Sequence, residues 1–298
     1  MTDAVHGRPL VAAIETGGTK FRVAVGSGPD AIVATETVPT TDPATTLEHV
    51  VAAAAASPIE AAGIGAFGPI DLDPASPTFG HLLATPKPGW SGVDVAGEIR
   101  RGLEVPTVVE TDVGAAAVGE MQWGAARGCD DFVYITVGTG IGMGVVIGGV
   151  VHHGMGHPEA GHLPVARITG DEFPGTCPFH GACLEGMASG PAIERRWGAS
   201  GPHLADRAEV WELEAGYLAQ AVQALTYVVA PQRIVIGGGV AQQPGLVALV
   251  EKKAAAALGG YAASPALQRG IDGYVVAAAL GQDAGLLGAL ALALGAAR

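Results

Sequence analysis

LVAAIETGGTKFRVAVG, residues 10–26, carries the pattern on which the fold turns. Two short apolar runs, LVAAIE and FRVAVG, flank a turn containing Gly17 and Gly18. Aliphatic runs of this length broken by glycine predict strands meeting at a turn. The pattern returns in FVYITV and GMGVVIG, which flank a second glycine cluster at 138–144, so the chain reads as two related halves. Each half then alternates strands with Ala-rich helical stretches, PATTLEHVVAAAAA at 43–56 and VGAAAVGEMQWGAA at 113–126. That alternation is a βαβ signature, and the fold class is α/β, with sheets covered by helices. A helical stretch at 208–230 leads into the strand RIVIGG, and Gly237, Gly238 and Gly239 then open toward a helix beginning near Pro244. AGLLGALALALGAA at the C-terminus reads as a helix packed on the body of the protein.

Backbone N–H groups converge on a phosphate where no Cβ obstructs them, so glycines in turns after strands are the relevant signal. Three places qualify. In the first, Glu15 at a strand end could hold magnesium through water while Thr19 or Lys20 touches a phosphate beside Gly17 and Gly18; the alternative is a plain hairpin turn. The second is Gly138, Thr139 and Gly140, and the third is Gly237–Gly239 after a buried strand. No G-x-x-x-x-G-K-[ST] motif occurs, which excludes a P-loop enzyme. Gly63-Ile-Gly65-Ala-Phe-Gly68 matches G-x-G-x-x-G, yet Pro69 and an irregular stretch follow in place of a helix. These glycines are expected to let the chain approach a sugar or a neighbouring strand. The Pro- and Gly-rich stretch 67–92 retains Phe67, Phe79 and Trp90 and reads as an ordered binding loop.

With 298 residues, 49% of them hydrophobic, the chain can bury one large domain or two modest ones. Sixteen basic against 29 acidic residues give a net charge of −13, and no basic cluster exceeds Arg100-Arg101 or Lys252-Lys253, which argues against nucleic acid. Three cysteines do not make a secreted disulfide framework, and MTDAVHGRPLVAAIE lacks the features of a signal peptide, so the expected compartment is a reducing cytoplasm. Phe132 to Val151 runs twenty residues without a charge, but its six glycines and many β-branched residues read as a hairpin, FVYITV against MGVVIGGVV, rather than a membrane helix.

Cys177, His180 and Cys183 lie close together, with His162 fifteen residues before the first. A C-x2-H-x2-C turn can place three ligands on one side of a tetrahedral zinc before a fourth arrives. Buried cysteines beside surface histidines would show the same spacing. Glu159 and Glu185, in the same window, are not explained by zinc. Cys129 lies outside it and reads as a small buried hydrophobe. Phosphoryl transfer to an alcohol needs a carboxylate near the attacking hydroxyl. Asp112 is the best-placed candidate, since VPTVVETD reads as a strand running into a helix start with Asp112 at the N-cap. The competing reading is that Asp112 is only a cap.

Taken together, IETGGTKFRVAVG, ETDVGAAAVGE, VGTGIGMGVV, HPEAGH with CPFHGACLEGMASGP, and IVIGGG resemble the ROK family of sugar kinases and repressors over almost the whole chain. The resemblance implies an actin-like ATPase (sugar kinase) fold, two α/β domains around a cleft. The first would span 1–112, with a C-terminal helix at about 284–298 packing back on it; the second would span 113–283, with a zinc loop at 157–185. It implies Asp112 as general base, and sugar contacts from Glu159, His162, Glu185, Gly68 and Thr111. ATP and Mg2+ would be held by Glu15, Gly17, Gly18, Thr19 and Lys20, by Gly138, Thr139 and Gly140, by Pro191, and by Gly237, Gly238 and Gly239. A structural Zn2+ would be held by His162, Cys177, His180 and Cys183.

Three positions depart from the commonest family pattern. Glu15 replaces an Asp, Thr111 an Asn, and His180 a cysteine. These look like the fructokinase branch, which implies ATP-dependent phosphorylation of D-fructose at its 6-hydroxyl by a homodimer. A sugar-responsive repressor of the same family is the disfavoured alternative, since only fourteen residues precede the first loop at Glu15, too few for the expected helix-turn-helix domain, and the charge is acidic.

Overall fold

The computed structural model describes residues 9–261 and 271–297, and these fall into two compact units. One contains residues up to 124 together with 153–157 and 283 onward; the other contains 125–152 and 158–282.

The first unit is built on a five-stranded sheet of order β3-β2-β1-β4-β5. Its strands are β1 (Val11–Glu15), β2 (Lys20–Gly26), β3 (Ile32–Pro39), β4 (Ala61–Ala66) and β5 (Thr107–Thr111). β1, β2 and β3 form an antiparallel meander, and β4 and β5 then add in parallel on the other side of β1. Helices α1 (Pro43–Ala55) and α2 (Val95–Leu103) start at Asp42 and Asp94, whose carboxylates accept from Thr45 N at 3.0 Å and Gly97 N at 2.8 Å. Helix α3 (Asp112–Trp123) follows β5 directly. The sequence reading assigned most of this helix to the second domain, whereas it packs on the C-terminal helix and belongs to the first unit.

The second unit repeats this topology. Its sheet has the order β10-β9-β6-β7-β8, from β6 (Phe132–Val137), β7 (Ile141–Ile147), β8 (Val150–Val151), β9 (Arg233–Gly237) and β10 (Val275–Ala277). Again three antiparallel strands come first and two parallel strands complete the other side. MGVVIGGVV is not one strand, as the sequence suggested. Gly148 and Gly149, at φ 59° and 77°, turn the chain between β7 and β8. The helices are α4 (Leu184–Ala188), α5 (Gly190–Trp197), α6 (Ala208–Val228) and α7 (Leu246–Leu258), the last starting two residues after Pro244. A core of Ile135, Met143, Leu184, Tyr217, Leu218, Val222 and Ile236 fills the space between sheet and helices.

Helix α8 (Ala284–Ala296) ends the chain and lies on β1 and β4 of the first unit. Gly63 and Gly65 of the apparent dinucleotide motif serve the packing of helices on β4 rather than a sugar or a strand. A Cβ on Gly63 would lie 2.0 Å from the Ala289 carbonyl oxygen, and one on Gly65 would lie 3.0 Å from Ala115 Cβ on α3. Among the described residues no helix is long and apolar enough to cross a membrane.

Candidate functional site

The second and third glycine loops come together in the second unit. Gly138, Thr139 and Gly140 form the turn between β6 and β7, closed by the Gly138 amide donating to the Gly140 carbonyl at 2.9 Å. Gly237 ends β9, and Gly238 follows at φ 88°, where a side chain would be strained and its Cβ would meet Val137 O at 2.4 Å. Gly238 and Gly239, with Gly138, Thr139 and Pro191, line a cavity of about 810 Å³, a size that accommodates a nucleotide. Pro191 lies in the first turn of α5, and the amide of Gly190 beside it donates to the Gly138 carbonyl at 2.7 Å. Ser189 caps the same helix through the Ala192 amide at 3.4 Å. A helix N-terminus, with the positive end of its dipole, is thus fixed against a glycine turn, and both border the same cavity.

The ring nitrogens of His162 and His180 and the sulfurs of Cys177 and Cys183 lie within 4.8 Å of one another. Cys177 Sγ is 3.7 Å from Nδ1 of both histidines, and Cys183 Sγ is 3.5 Å from His162 Nδ1. A tetrahedral zinc with its usual bond lengths sets sulfur-to-nitrogen edges of about 3.6 Å, so the donor set and its spacing fit this metal. The loop is held from behind. Tyr217 on α6 donates to Asp171 at 2.5 Å, Arg196 pairs with Asp171 at 3.3 Å, and the Arg196 guanidinium lies 4.4 Å from the Phe173 ring centre. The hydroxyl of Tyr217 is pushed up to about 12 by burial and by donation to Asp171.

Cys183 precedes α4 as its cap residue, which puts Glu185 in the first turn of that helix. Glu185 is half-buried, and its Oε2 accepts from the Ile141 amide at 3.0 Å, immediately after the second glycine turn. A Cβ on Gly140 would lie 2.7 Å from that oxygen and would push the Glu185 carboxylate aside. Glu159 is exposed on the chain leading into the short turn that carries His162.

In the first unit, Gly17, Gly18 and Thr19 occupy the turn between β1 and β2, and Lys20 opens β2 with its side chain exposed. The hairpin alternative is therefore correct as local structure, but the turn is fastened more heavily than a hairpin needs. The Phe67 amide donates to Thr16 Oγ1 at 2.9 Å, Thr40 donates to the Gly17 carbonyl at 2.7 Å, and Lys87 Nζ reaches the Thr40 carbonyl at 3.1 Å. Phe67 and Trp90 pack with Phe21, so stretch 67–92 is ordered against this turn. Glu15 is half-buried beside Arg22, which is 3.2 Å away and also pairs with Asp283. Burial raises the Glu15 carboxyl above its ordinary range, and Arg22 pulls it partly back.

Asp112 is not the N-cap that the sequence suggested. Thr111 takes that role, its Oγ1 accepting from Gly114 N at 2.9 Å, because its extended backbone aims a short hydroxyl at the helix amides. Asp112 is the first helical residue, half-buried, with Oδ1 accepting from the Val113 amide at 2.8 Å. Gly68 is exposed just beyond β4, with His157 next to it. Sequence reasoning missed Thr16, Thr40, Glu110, His153, Asp171, Arg196 and Tyr217. Their partners lie up to dozens of residues away, and no local pattern marks them. Cys129 is buried and free, as expected.

The sequence profile of the ROK family matches residues 11–296. A fructokinase of Streptococcus mutans is 41% identical over 290 residues, covering 95% of this chain and 97% of that protein. A fructokinase of Pediococcus pentosaceus is 40% identical over 284 residues, covering 95% and 97%. Among solved structures, a ROK family glucokinase from Streptomyces griseus in complex with glucose and AMPPNP superimposes with a TM-score of 0.74 at 27% identity, over 95% of this chain and 99% of that one. Two sheets of one topology, glycine turns at equivalent places in both, and these matches agree: the chain belongs to the ROK family.

Proposed function

We infer that this chain is an ATP-dependent fructokinase, converting D-fructose and ATP to D-fructose 6-phosphate and ADP. The carrying observation is identity near 40% to fructokinases over nearly the whole of both chains. In the mechanism that fits the residues, Asp112 accepts the proton of the 6-hydroxyl as that oxygen bonds to the γ-phosphorus. The bond from the γ-phosphorus to the bridging oxygen breaks, and ADP leaves. The amides of Thr139 and Gly140 are offered to phosphate oxygens, the start of α5 at Pro191 adds the positive end of its helix dipole, and Gly138, Gly238 and Gly239 border the cavity for the nucleoside. Gly17, Gly18, Thr19 and Lys20, the first glycine turn, are assigned to phosphate as well, with Glu15, oriented by Arg22, placed to hold a hydrated magnesium. Magnesium supplies charge neutralisation on the polyphosphate.

Glu159, His162 and Glu185 are assigned to sugar hydroxyls, together with Gly68 and Thr111. His162 uses Nδ1 toward the metal, which leaves Nε2 for the sugar. Zinc held by His162, Cys177, His180 and Cys183 supplies rigidity only, because four protein ligands leave no open position. The enzyme is assigned to the cytoplasm and to a homodimer.

A coupled assay with fructose, glucose, mannose and N-acetylmannosamine at equal concentration tests the substrate; preference for glucose overturns fructose. Asp112→Asn is expected to lower kcat at least 100-fold, roughly the scale of general-base catalysis, with little change in KM for fructose. Near-normal turnover in that variant removes Asp112 from the mechanism.

A further inference from the structure

Just before Asp112 the chain buries a second carboxylate that the mechanism above does not use. Glu110 is only 5% exposed. Its Oε1 accepts from the Thr111 amide at 2.7 Å and lies 3.2 Å from Thr111 Oγ1, the atom that caps α3. The fit is close: Gly114 has no side chain, and a Cβ there would lie 2.5 Å from Glu110 Oε1. The other oxygen, Oε2, is 2.9 Å from His153 Nε2.

His153 comes from a short strap, His153–His157, that belongs to the first unit although the residues on either side belong to the second. The strap is tied at its far end too, where the Ile70 amide meets His157 Nε2 at 3.4 Å. It thus spans the ends of β5 and β4, and two residues beyond it along the chain comes Glu159. A buried carboxylate is expensive without a partner, and His153 supplies one.

We propose that Glu110 and His153 are a positioning pair for the general base: the strap clamps Glu110, Glu110 holds Thr111, and Thr111 fixes the first turn of α3 from which Asp112 projects. This rests on the assignment of Asp112 as base. Neither residue needs to touch sugar or nucleotide. A misplacement of a catalytic group by a fraction of a bond length lowers turnover while largely sparing ground-state binding, so the pair should act far more on kcat than on KM, although Thr111 is also assigned to the sugar.

The test is steady-state kinetics of Glu110→Gln, His153→Ala and His153→Gln beside Asp112→Asn, with thermal midpoints for each. Glu110→Gln and His153→Ala are expected to lower kcat roughly 10- to 100-fold, with KM for fructose and ATP within about threefold. His153→Gln should recover most of the loss, because its amide nitrogen can donate where Nε2 does. In the Asp112→Asn background, His153→Ala should cost less than about twofold more, since no base remains to be aimed. A folded His153→Ala enzyme with normal kcat beside an inactive Asp112→Asn overturns the pair and leaves the base standing. A KM effect with kcat intact overturns it equally, by making His153 a binding contact. Full turnover in Asp112→Asn overturns the base, and the pair with it. Should Glu110→Gln fail to fold, the His153 variants decide, since that side chain is 34% exposed.

Discussion

Glu214 shows how little a sequence reveals about a single buried charge. It sits on α6 at 1% exposure, and neither carboxylate oxygen has a hydrogen-bond partner among the described residues. Burial raises its carboxyl well above the ordinary range, against a smaller opposing pull from Arg196. The folded state therefore holds a proton there that the unfolded chain releases near the ordinary carboxylate range. Stability from this group is present below that range and is lost as pH rises toward the folded value. Glu214→Gln does not titrate. Its thermal midpoint relative to the parent should rise progressively as pH climbs above the ordinary carboxylate range. A pH-independent difference would show an ionised carboxylate fully compensated by Arg196. The pattern around Glu214, AEVWELEAGYLAQ, reads as a helix correctly, but the burial of one acid depends on which face meets the core. Asp112 was legible for the same reason that its cap role was misread. A Thr-Asp pair at a helix start fixes the boundary, while choosing the capping hydroxyl needs backbone angles.

At the scale of elements, the packing of α8 against α3 is set by glycines that no periodicity distinguishes. A Cβ on Gly288 would lie 1.6 Å from the Ala115 carbonyl oxygen, and one on Gly119 would lie 2.7 Å from the Ala284 carbonyl oxygen. The two helix backbones therefore touch, and Asp112 begins one of them. Gly288→Ala should force the helices apart at a cost of about 3 kcal/mol, read from urea unfolding. Gly295 lies in the same helix with nothing within 4 Å of its Cβ position. Gly295→Ala should be neutral or gain up to about 1 kcal/mol from helix propensity. Equal effects at both positions would contradict close packing as the cause. The glycine turns were readable because each directly follows a run of strand character. Gly63 and Gly65 were not, because helices from later in the chain, α8 for Gly63 and α3 for Gly65, are what need their missing side chains.

Across the whole molecule, one topology occurs twice, three antiparallel strands followed by two parallel ones, with a glycine turn after the first strand of each set. The repeat was visible in sequence because strand spacing and glycine position recur together. The four-donor cluster has no counterpart in the first unit among the described residues, so a zinc bound there would brace a loop of the second unit. Its ligands come from a loop otherwise tied down by Asp171, Arg196 and Tyr217. These anchors hold the base of the loop and not its tip, where Phe179 is 82% exposed. Purified protein should carry about one zinc per chain, and Cys183→Ala or a strong chelator should remove it. Loss should lower the thermal midpoint and raise KM for fructose more than it lowers kcat, because the loop carries Glu159, His162 and Glu185 while Asp112 sits on α3. Through the hydrogen bond from Ile141 to Glu185, KM for ATP should rise as well, by less. Cys129→Ala, outside the cluster, should keep its metal. Full zinc content in Cys183→Ala, or unchanged KM for fructose after complete removal, would exclude this role for the metal.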